Sequence, residues 1–483
     1  MECCLCEDYP RTGKPLFMED TIVAISTAPG ESAIGIVRLS GPKALKIADK
    51  IFISKEKKKP SSFKNRTIHY GWISDRGGRK KSLSDKIIDE ALLSVMRAPA
   101  TYTREDIVEI NCHGGVLALK KTLELTLRQG ARLAQPGEFT KRAFLNGRID
   151  LAQAEAVLDV IRAKTELGLG TALGQLRGKL SKRITKIRNI LIEVLANLEV
   201  SFDFSQEETE ALNSRQITRS LKMVRRNLEE LIKSAEGGCI LREGVMTVIC
   251  GKPNVGKSSL MNTFLKEDKV IVTPIAGTTR DIIEDIINIE GIPIRIVDTA
   301  GIIEPRDLVE REGVARSKKY LNKANLILFL LDNSRPLSAE DLQIIDSIKG
   351  KSIIVVINKI DLKTRLNLKK IEDFLKGKRI VKICATREKG IPGLESNIKK
   401  HILGGKVKMD AESAVVTNLR HKKALEKSLE FIEASIKNLK ERKGEELVAE
   451  DIKEALRSIG CIIGEVAPEE ILDKIFGEFC IGK

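Results

Sequence analysis

The sequence is poor in aromatic residues: Phe, Trp and Tyr make up 4% of 483 positions, with one Trp. Its cores must therefore be built mainly from Leu, Ile, Val and Ala. It has no apolar run as long as the roughly 18 residues of a membrane-spanning helix, so no membrane span is expected. The N-terminal stretch carries Glu2, Glu7 and Asp8 and lacks the apolar segment of a secretory signal. The nine cysteines are odd in number and scattered from Cys3 to Cys480, which argues against a secreted disulfide framework. Cys3-Cys4-x-Cys6 lacks the second pair of a zinc site. A reducing compartment, the cytoplasm, is the expectation. Proline is missing between Pro136 and Pro253 and again between Pro392 and Pro468. Proline breaks helix interiors, so both stretches are free to form long helices.

What is present fits a folded chain of two to four domains: 42% hydrophobic and 31% charged residues. Lys and Arg outnumber Asp and Glu by 83 to 67, a net charge of +16, and the surplus favours a polyanionic partner such as nucleic acid. Both proline-free stretches carry apolar residues at helical spacing. Leu191, Ile192, Leu195 and Leu198 mark the first, and Leu425, Leu429, Ile432 and Ile436 mark the second. Between them the pattern changes to short β-rich runs: Val245–Cys250, Ile292–Val297, Leu326–Leu331 and Ile353–Ile357. Unbroken apolar strands separated by helical segments predict a mostly parallel sheet covered on both faces, an α/β domain over 238–404. It is expected to be inserted into a helical domain made from the flanking stretches. The first part of the chain reads as α+β. Ile34–Val37 and Ile107–Ile110 are expected strands, Leu117–Leu127 an expected helix, and 54–66 and 74–86 expected loops. The basic run Lys179, Lys182, Arg183, Lys186 and Arg188 falls on a predicted helix and could meet RNA phosphates. His113, before two glycines, reads as a turn residue.

Gly251-Lys252-Pro253-Asn254-Val255-Gly256-Lys257-Ser258 fits the phosphate-loop pattern G-x-x-x-x-G-K-S/T without a gap. It follows an expected strand and precedes the helical pattern Ser259-Leu260-Met261-Asn262. Glycines let backbone N–H groups turn toward phosphates, and the helix N-terminus adds positive potential. Lys257 can reach the β- and γ-phosphates, and Ser258 can ligate Mg²⁺. Asp298 ends a strand and is followed by Thr299, Ala300 and Gly301. It can hold the Mg²⁺ shell while the Gly301 N–H meets the γ-phosphate. Asn358-Lys359-Ile360-Asp361 follows another strand. A carboxylate at Asp361 can accept the N1–H and 2-amino donors of guanine, which adenine lacks, so GTP is selected over ATP. Gly277-Thr278-Thr279-Arg280-Asp281 lies between the phosphate loop and Asp298, where a switch loop supplies a Mg²⁺-binding threonine; Thr279 is the expected ligand, and Thr273, Pro274, Ile275 and Ala276 just before it are expected to line the nucleotide with Gly277 and Thr278. Cys384-Ala385-Thr386 occupies the place where GTPases commonly carry Ser-Ala-Lys. These signals, in order and on strand ends, predict a GTPase. Ile302 stands where many GTPases place a water-orienting glutamine and can make no hydrogen bond, so Glu304 is the nearest candidate for that role.

Several separate segments together resemble the tRNA-modification GTPase family MnmE, also called TrmE. They are Asp20–Ala24, Ile34–Gly41, Tyr102–Asp106, Cys112–Gly115, the run Arg132–Gln153 with Pro136–Thr140 and Phe144–Arg148, and the final Phe479-Cys480-Ile481-Gly482-Lys483. The resemblance runs from about Glu19 to the end. It implies an N-terminal extension over 1–17 and a tetrahydrofolate-binding, dimerising α+β domain over 18–135. An all-α helical domain would be split between 136–237 and 405–483, with a G domain inserted at 238–404. It implies modification of C5 of the wobble uridine of certain tRNAs, giving a carboxymethylaminomethyl or aminomethyl group. The partner would be the flavoprotein MnmG (GidA), using FAD and NADH. The one-carbon unit would come from 5,10-methylenetetrahydrofolate or 5-formyltetrahydrofolate. By position, Arg38, Glu109, Arg148 and Lys483 would contact folate. Asn254, Thr273, Ile275 and Thr278 would hold K⁺, Glu304 would assist the attacking water alongside Lys257 and Thr279, and Cys480 could take part in uridine chemistry. The GTPase motifs alone also fit a ribosome-assembly or regulatory GTPase without modification chemistry. The N-terminal block and the C-terminal tail distinguish the two.

Overall fold

The computed structural model describes residues 19–75, 87–203, 207–265, 285–298, 320–404, 416–441 and 443–483. The chain forms two compact units. The first combines the residues up to Leu158 with Arg457–Lys483, and the second runs from Asp159 to Leu456.

In the first unit seven strands form one sheet: β1 (Ile22–Ile25), β2 (Ser32–Ser40), β3 (Phe52–Ser54), β4 (Thr67–Ser74), β5 (Ile87–Met96), β6 (Ile107–Gly114) and β7 (Arg132–Leu133). Their order is β3-β4-β5-β6-β2-β1-β7. All described pairs are antiparallel except β1 with β7. Helices α1 (Ala44–Ile51) and α2 (Val116–Arg128) cover one face, burying Ile47, Ala48, Ile51, Leu119 and Leu125 against Val37, Leu39, Leu93, Val108 and Ile110. Two of these strands and α2 match the sequence expectation. His113 does not: it lies within β6 rather than in a turn, because the strand runs on to Gly114, which still pairs with Ser32 on β2. It is exposed, and its Nδ1 sits 2.7 Å from Asp89.

Helix α3 (Glu138–Leu145) brings Arg142 fully inside this unit. A lone buried guanidinium is costly, and here it is surrounded by three carboxylates. Nη2 donates to Asp20 at 2.7 Å and to Glu138 at 3.0 Å, and Nη1 donates to Glu105 at 3.1 Å. Arg132 adds a second cation at 2.6 Å from Glu138. Burial pushes Asp20 and Glu138 upward, but the hydrogen bonds, first among them those from Arg132, outweigh it and hold both below the usual carboxylate range. Burial dominates at Glu105 and raises it despite its bonds to Ser40 and Arg142. The stabilisation from Asp20 and Glu138 is thus present above the ordinary carboxylate range and lost as pH falls through their lowered values, whereas the cost of charging Glu105 is relieved on acidification.

The second unit holds a six-stranded sheet: β8 (Val245–Cys250), β9 (Asp285–Ile289), β10 (Ile292–Asp298), β11 (Leu326–Asp332), β12 (Ile353–Asn358) and β13 (Arg379–Lys382). The order is β13-β12-β11-β8-β10-β9, parallel but for the β9–β10 hairpin. Every residue of β8, β11 and β12 is buried. Such strands need apolar side chains on both faces, which is why they read as unbroken runs. Along the chain, α4 (Leu151–Arg162), α5 (Glu166–Leu176) and the long helices α6 (Lys179–Asp203) and α7 (Glu207–Glu243) precede β8, and the helix Leu419–Lys440 follows the sheet. Leu221, Leu228 and Leu231 of α7 and Leu425 and Ile432 of the later helix are buried at helical spacing. On α6, Lys182, Arg183 and Lys186 are exposed, and Arg183 lies 3.4 Å from Glu230.

The Arg142 cluster yields a stability prediction. Arg142→Met should destabilise the first unit by about 3–5 kcal/mol, because three carboxylates lose their shared cation. The chain's single tryptophan, Trp72, lies on β4 and reports this unit directly. Urea unfolding followed by its fluorescence should show the lowered midpoint, and adding Glu105→Gln should recover part of it.

Candidate functional site: a nucleotide pocket and a docked tail

The C-terminal ends of parallel strands are where α/β sheets bind ligands. Four sequence-derived stretches lie at such ends here. β8 runs into the loop Gly251–Gly256 and then α8 (Lys257–Leu265). β10 ends at Asp298, β12 ends at Asn358, and β13 leads to Cys384.

Asn358 joins three of them. Its side chain is buried. Nδ2 donates to the Val255 carbonyl at 2.9 Å, and Oδ1 accepts the Ala385 N–H at 3.0 Å. A Cβ on Gly256 would meet Asn358 Nδ2 at 2.2 Å, and Gly256 has φ of +101°. The motif glycine is therefore required both by backbone conformation and by the close approach of Asn358. Lys359 also reaches across: Nζ donates to the Asn254 carbonyl at 2.6 Å and to Asp332 Oδ2 at 2.8 Å. Asp332 ends β11, and its side chain is 1% exposed. Burial raises its carboxyl, but the bonds from Lys359 and Ser334 outweigh this and leave it lowered. Lys257 spans the loop, with Nζ 2.9 Å from the Gly251 carbonyl and 3.0 Å from that of Lys252. Lys252 in turn pairs with the buried Asp341 at 2.8 Å. Ser258 is exposed in the first turn of α8 and Ser259 is half-buried beside it. The exposed hydroxyl of Ser258 and a strand-end aspartate are hard oxygen ligands, the donor type Mg²⁺ takes.

Asp361 lies beyond the strand end, with Ile360 anchored by its N–H to the Ile383 carbonyl at 3.3 Å. The Cys384 thiol donates to Asp361 Oδ1 at 3.2 Å, and Thr386 Oγ1 lies 3.5 Å from the same sulfur. The structure thus brings together Asn254, Val255, Gly256, Lys257, Ser258, Ser259, Asn358, Lys359, Ile360, Asp361, Cys384, Ala385 and Thr386. The expectations for Thr273, Pro274, Ile275, Ala276, Gly277, Thr278 and Thr279, and for Thr299, Ala300, Gly301, Ile302 and Glu304, lie outside the described residues. Sequence reasoning missed Asp332, Lys252 with Asp341, and Thr263, whose Oγ1 donates to the Ala385 carbonyl at 3.0 Å. An aspartate closing an otherwise apolar strand was the available signal for Asp332.

The second constellation lies in the first unit. Arg38 and Glu109 are register partners on β2 and β6, paired at 2.7 Å. Arg38 Nη1 donates to the Gly482 carbonyl at 3.3 Å, and its guanidinium lies 5.7 Å from the centre of the Phe139 ring. The tail is docked by backbone bonds. Phe139 N–H donates to the Lys483 carbonyl at 3.2 Å, and Pro136 forms an antiparallel bridge with Ile481. Gly482 has φ of +95°, and a Cβ there would lie 2.5 Å from the Ile25 carbonyl. Arg148 covers the Tyr102 ring at 4.7 Å, and Tyr102 Oη shares a hydrogen bond with Thr140. Burial pushes the Tyr102 phenol up, against the hydrogen bond with Thr140 and the charges of Arg148 and Arg38. The four residues expected to contact folate thus share one region, with Tyr102 and Phe139 as aromatic surfaces the residue-by-residue reading missed. A carboxylate beside cations and aromatic rings is a donor set that fits a pterin and its acidic tail. Cys480 is exposed at the edge of this region.

The chain matches two family models. Residues 21–148 match the family model "GTP-binding protein TrmE N-terminus", and residues 151–480 match "MnmE helical domain". The chain is 49% identical to the tRNA modification GTPase MnmE of Alkaliphilus oremlandii (strain OhILAs) over 468 residues, 97% of this chain and 100% of that protein. It is 47% identical to that of Clostridioides difficile (strain 630), with the same coverage of both chains. Identity to the Bacillus subtilis (strain 168) protein is 44%, covering 96% of this chain and 100% of that one. A solved structure of a variant Era from Aquifex aeolicus bound to GDP·AlF4⁻ is 31% identical, covers 39% of this chain and 66% of that chain, and has a TM-score of 0.27. From the matches along its length, the chain belongs to the MnmE family of tRNA modification GTPases.

Proposed function

We propose that this protein is a potassium-activated GTPase that, with an FAD- and NADH-using flavoprotein partner of the MnmG type, modifies C5 of the wobble uridine of certain tRNAs. The product would carry a carboxymethylaminomethyl or aminomethyl group, with a folate one-carbon unit as the source of the bridge. The observation that carries the reading is the joining of the phosphate loop, Asn358 and the Ala385 turn at one sheet end, in a chain related over nearly its whole length to tRNA modification GTPases. We assign the folate-binding, dimerising domain to 18–135, the helical domain to 136–237 and 405–483, and the G domain to 238–404. The protein would work as a homodimer in the cytoplasm. The exposed lysines and arginine of α6 would face tRNA phosphates.

In the G domain, Lys257 would bind the phosphate oxygens, while Ser258 and Thr279 would hold Mg²⁺ beside Asp298. Asp361 would accept the two guanine donors. Glu304 would orient the attacking water, a role Ile302 lacks the polar atoms to fill. Asn254, Thr273, Ile275 and Thr278 would hold K⁺, which when bound supplies positive charge beside the developing phosphate oxygens. In the first unit, Glu109 would accept pterin donors, and Arg38, Arg148 and Lys483 would hold the acidic tail of folate. Cys480, exposed beside it, would face the uridine.

The modification reading is tested by deleting Cys480–Lys483. Because these residues lie in the other compact unit from the phosphate loop, GTP hydrolysis should persist while the modified wobble uridine disappears from cells carrying only the truncated protein. Mass spectrometry of tRNA nucleosides reads the result, and normal levels of the modified nucleoside would refute the assigned role of the tail.

Cation activation is tested by steady-state hydrolysis in KCl and NaCl at matched ionic strength. An arginine finger contributes ~10³–10⁵ in rate, so a cation replacing even part of it should make hydrolysis in K⁺ at least about tenfold faster. Asn254→Ala should abolish the difference. Equal rates in the two salts for the unaltered protein would overturn the proposed cation site.

A further inference from the structure

We infer that His113 is the proton acceptor in the uridine chemistry: oriented by Asp89, its Nε2 takes the hydrogen that leaves C5 of the wobble uridine. The inference rests on the modification reading above, which assigns no residue to that proton. On β6, Val108, Ile110 and Cys112 pack into the core beneath the helices. Glu109, Asn111 and His113 therefore alternate onto the uncovered face of the sheet. His113 shares that face with the Arg38–Glu109 pair, and it stands four residues along β6 from Glu109, roughly 13 Å on an extended strand.

The β5–β6 ladder ends at Leu92–Asn111. Beyond it, Asp89 takes the place of a backbone partner: its Oδ2 accepts the His113 N–H at 2.8 Å. A strand-end cap needs no more than that. Yet Asp89 Oδ1 also lies 2.7 Å from His113 Nδ1 and accepts the Glu90 N–H at 2.9 Å. A carboxylate cannot donate, so Nδ1 carries the hydrogen and the neutral ring keeps its lone pair on Nε2. That nitrogen has no partner among the described residues, and the His113 side chain is 72% exposed where Asp89 is 11% exposed. A ring fixed through one nitrogen and open at the other is the arrangement by which an aspartate orients a histidine for proton transfer. The charged groups acting on the ring are both on β5. The hydrogen bond to Asp89 comes first, and with the charges of Asp89 and Glu90 it outweighs desolvation and draws the imidazole upward. Glu90 in turn accepts from Tyr70 of β4, and β2 brings Ser32 opposite Gly114.

The step balances without an oxidant or reductant. The electron pair of C5=C6 forms the new bond from C5 to an electrophilic one-carbon unit. The C5–H bond then breaks, its pair restores C5=C6, and the proton passes to Nε2. The positive charge that the electrophile brings ends on the imidazolium.

The test uses the full-length protein with its flavoprotein partner, the folate donor and tRNA tritiated at C5 of the wobble uridine, and counts tritium released to water. General bases contribute about 10²–10⁴ in rate, so His113→Gln should slow release at least about 100-fold. GTP hydrolysis should stay unchanged, because His113 lies in the other compact unit from the phosphate loop. Glutamine keeps the backbone N–H that Asp89 accepts, so the strand end is preserved. In Asp89→Asn, release should rise with pH through a lower midpoint than in the unaltered protein. The base works only when neutral, and it has lost the charge that raised it. A second readout needs no substrate. NMR of ¹³C-labelled histidine, with four histidines in the chain, should show the His113 ring titrating above the ordinary histidine range and falling back in Asp89→Asn. Tritium release by His113→Gln equal to that of the unaltered protein would overturn the inference, as would a His113 titration that Asp89→Asn leaves in place. An unaltered protein that releases no tritium would instead refute the modification reading.

Discussion

The nucleotide site depends on one buried amide. Asn358 spends its side-chain donor on Val255 and its acceptor on Ala385, so a single residue fixes the phosphate loop to the Ala385 turn. Neither contact could be replaced by water at a position this buried, and each would leave an unpaired backbone group if lost. The other features follow from it. Gly256 must lack a side chain because Asn358 lies against it, and Lys359 can reach Asn254 because its neighbour holds the loop nearby. Asp332 then keeps the Lys359 ammonium from being an uncompensated charge. The Gly251–Ser258 loop, the Asn358–Asp361 segment and the Ala385 turn are thus parts of one hydrogen-bonded body.

The first unit solves a different problem in the same way. Its tail is short and partly exposed, and beyond Phe479, which packs with Phe476, little hydrophobic area is available to hold it. Backbone bonds to Pro136 and Phe139 and the contact of Arg38 with Gly482 do so instead. Helix α3, which presents Phe139 to the tail, is itself anchored by Arg142 within its three carboxylates. Charge buried deep in the unit therefore determines where the chain's last residues lie, and with them Arg38, Glu109 and the two aromatic rings.

Much of this was legible in the sequence wherever function is written in consecutive residues. Gly251–Ser258 and Asn358–Asp361 announce themselves because a strand end, a loop and a helix start are contiguous, and fully buried parallel strands such as β11 appear as unbroken apolar runs. Strands β4 and β5 were not named, since one face is solvated and Asp89-Glu90-Ala91-Leu92 carries no clean alternation. What pairs across long separations was illegible: Thr263 with Ala385, Asp332 with Lys359, and Tyr102 with Arg148. Nothing local marks a residue whose role is to touch another far along the chain. The serine-to-cysteine departure at 384 was visible, but the bond from its thiol to Asp361 was not.

The central claim is that Asn358 makes the phosphate loop and the Ala385 turn a single unit, and Asn358→Ala tests it most directly. Removing both bonds leaves the Val255 carbonyl and the Ala385 N–H buried without partners, a cost of about 1–3 kcal/mol each. GTP affinity, measured by isothermal titration on the full-length protein, should fall at least about 100-fold. The Trp72 unfolding midpoint of the other unit should stay where it was. An affinity within about twofold of the unaltered protein, with both units folded, would contradict the account.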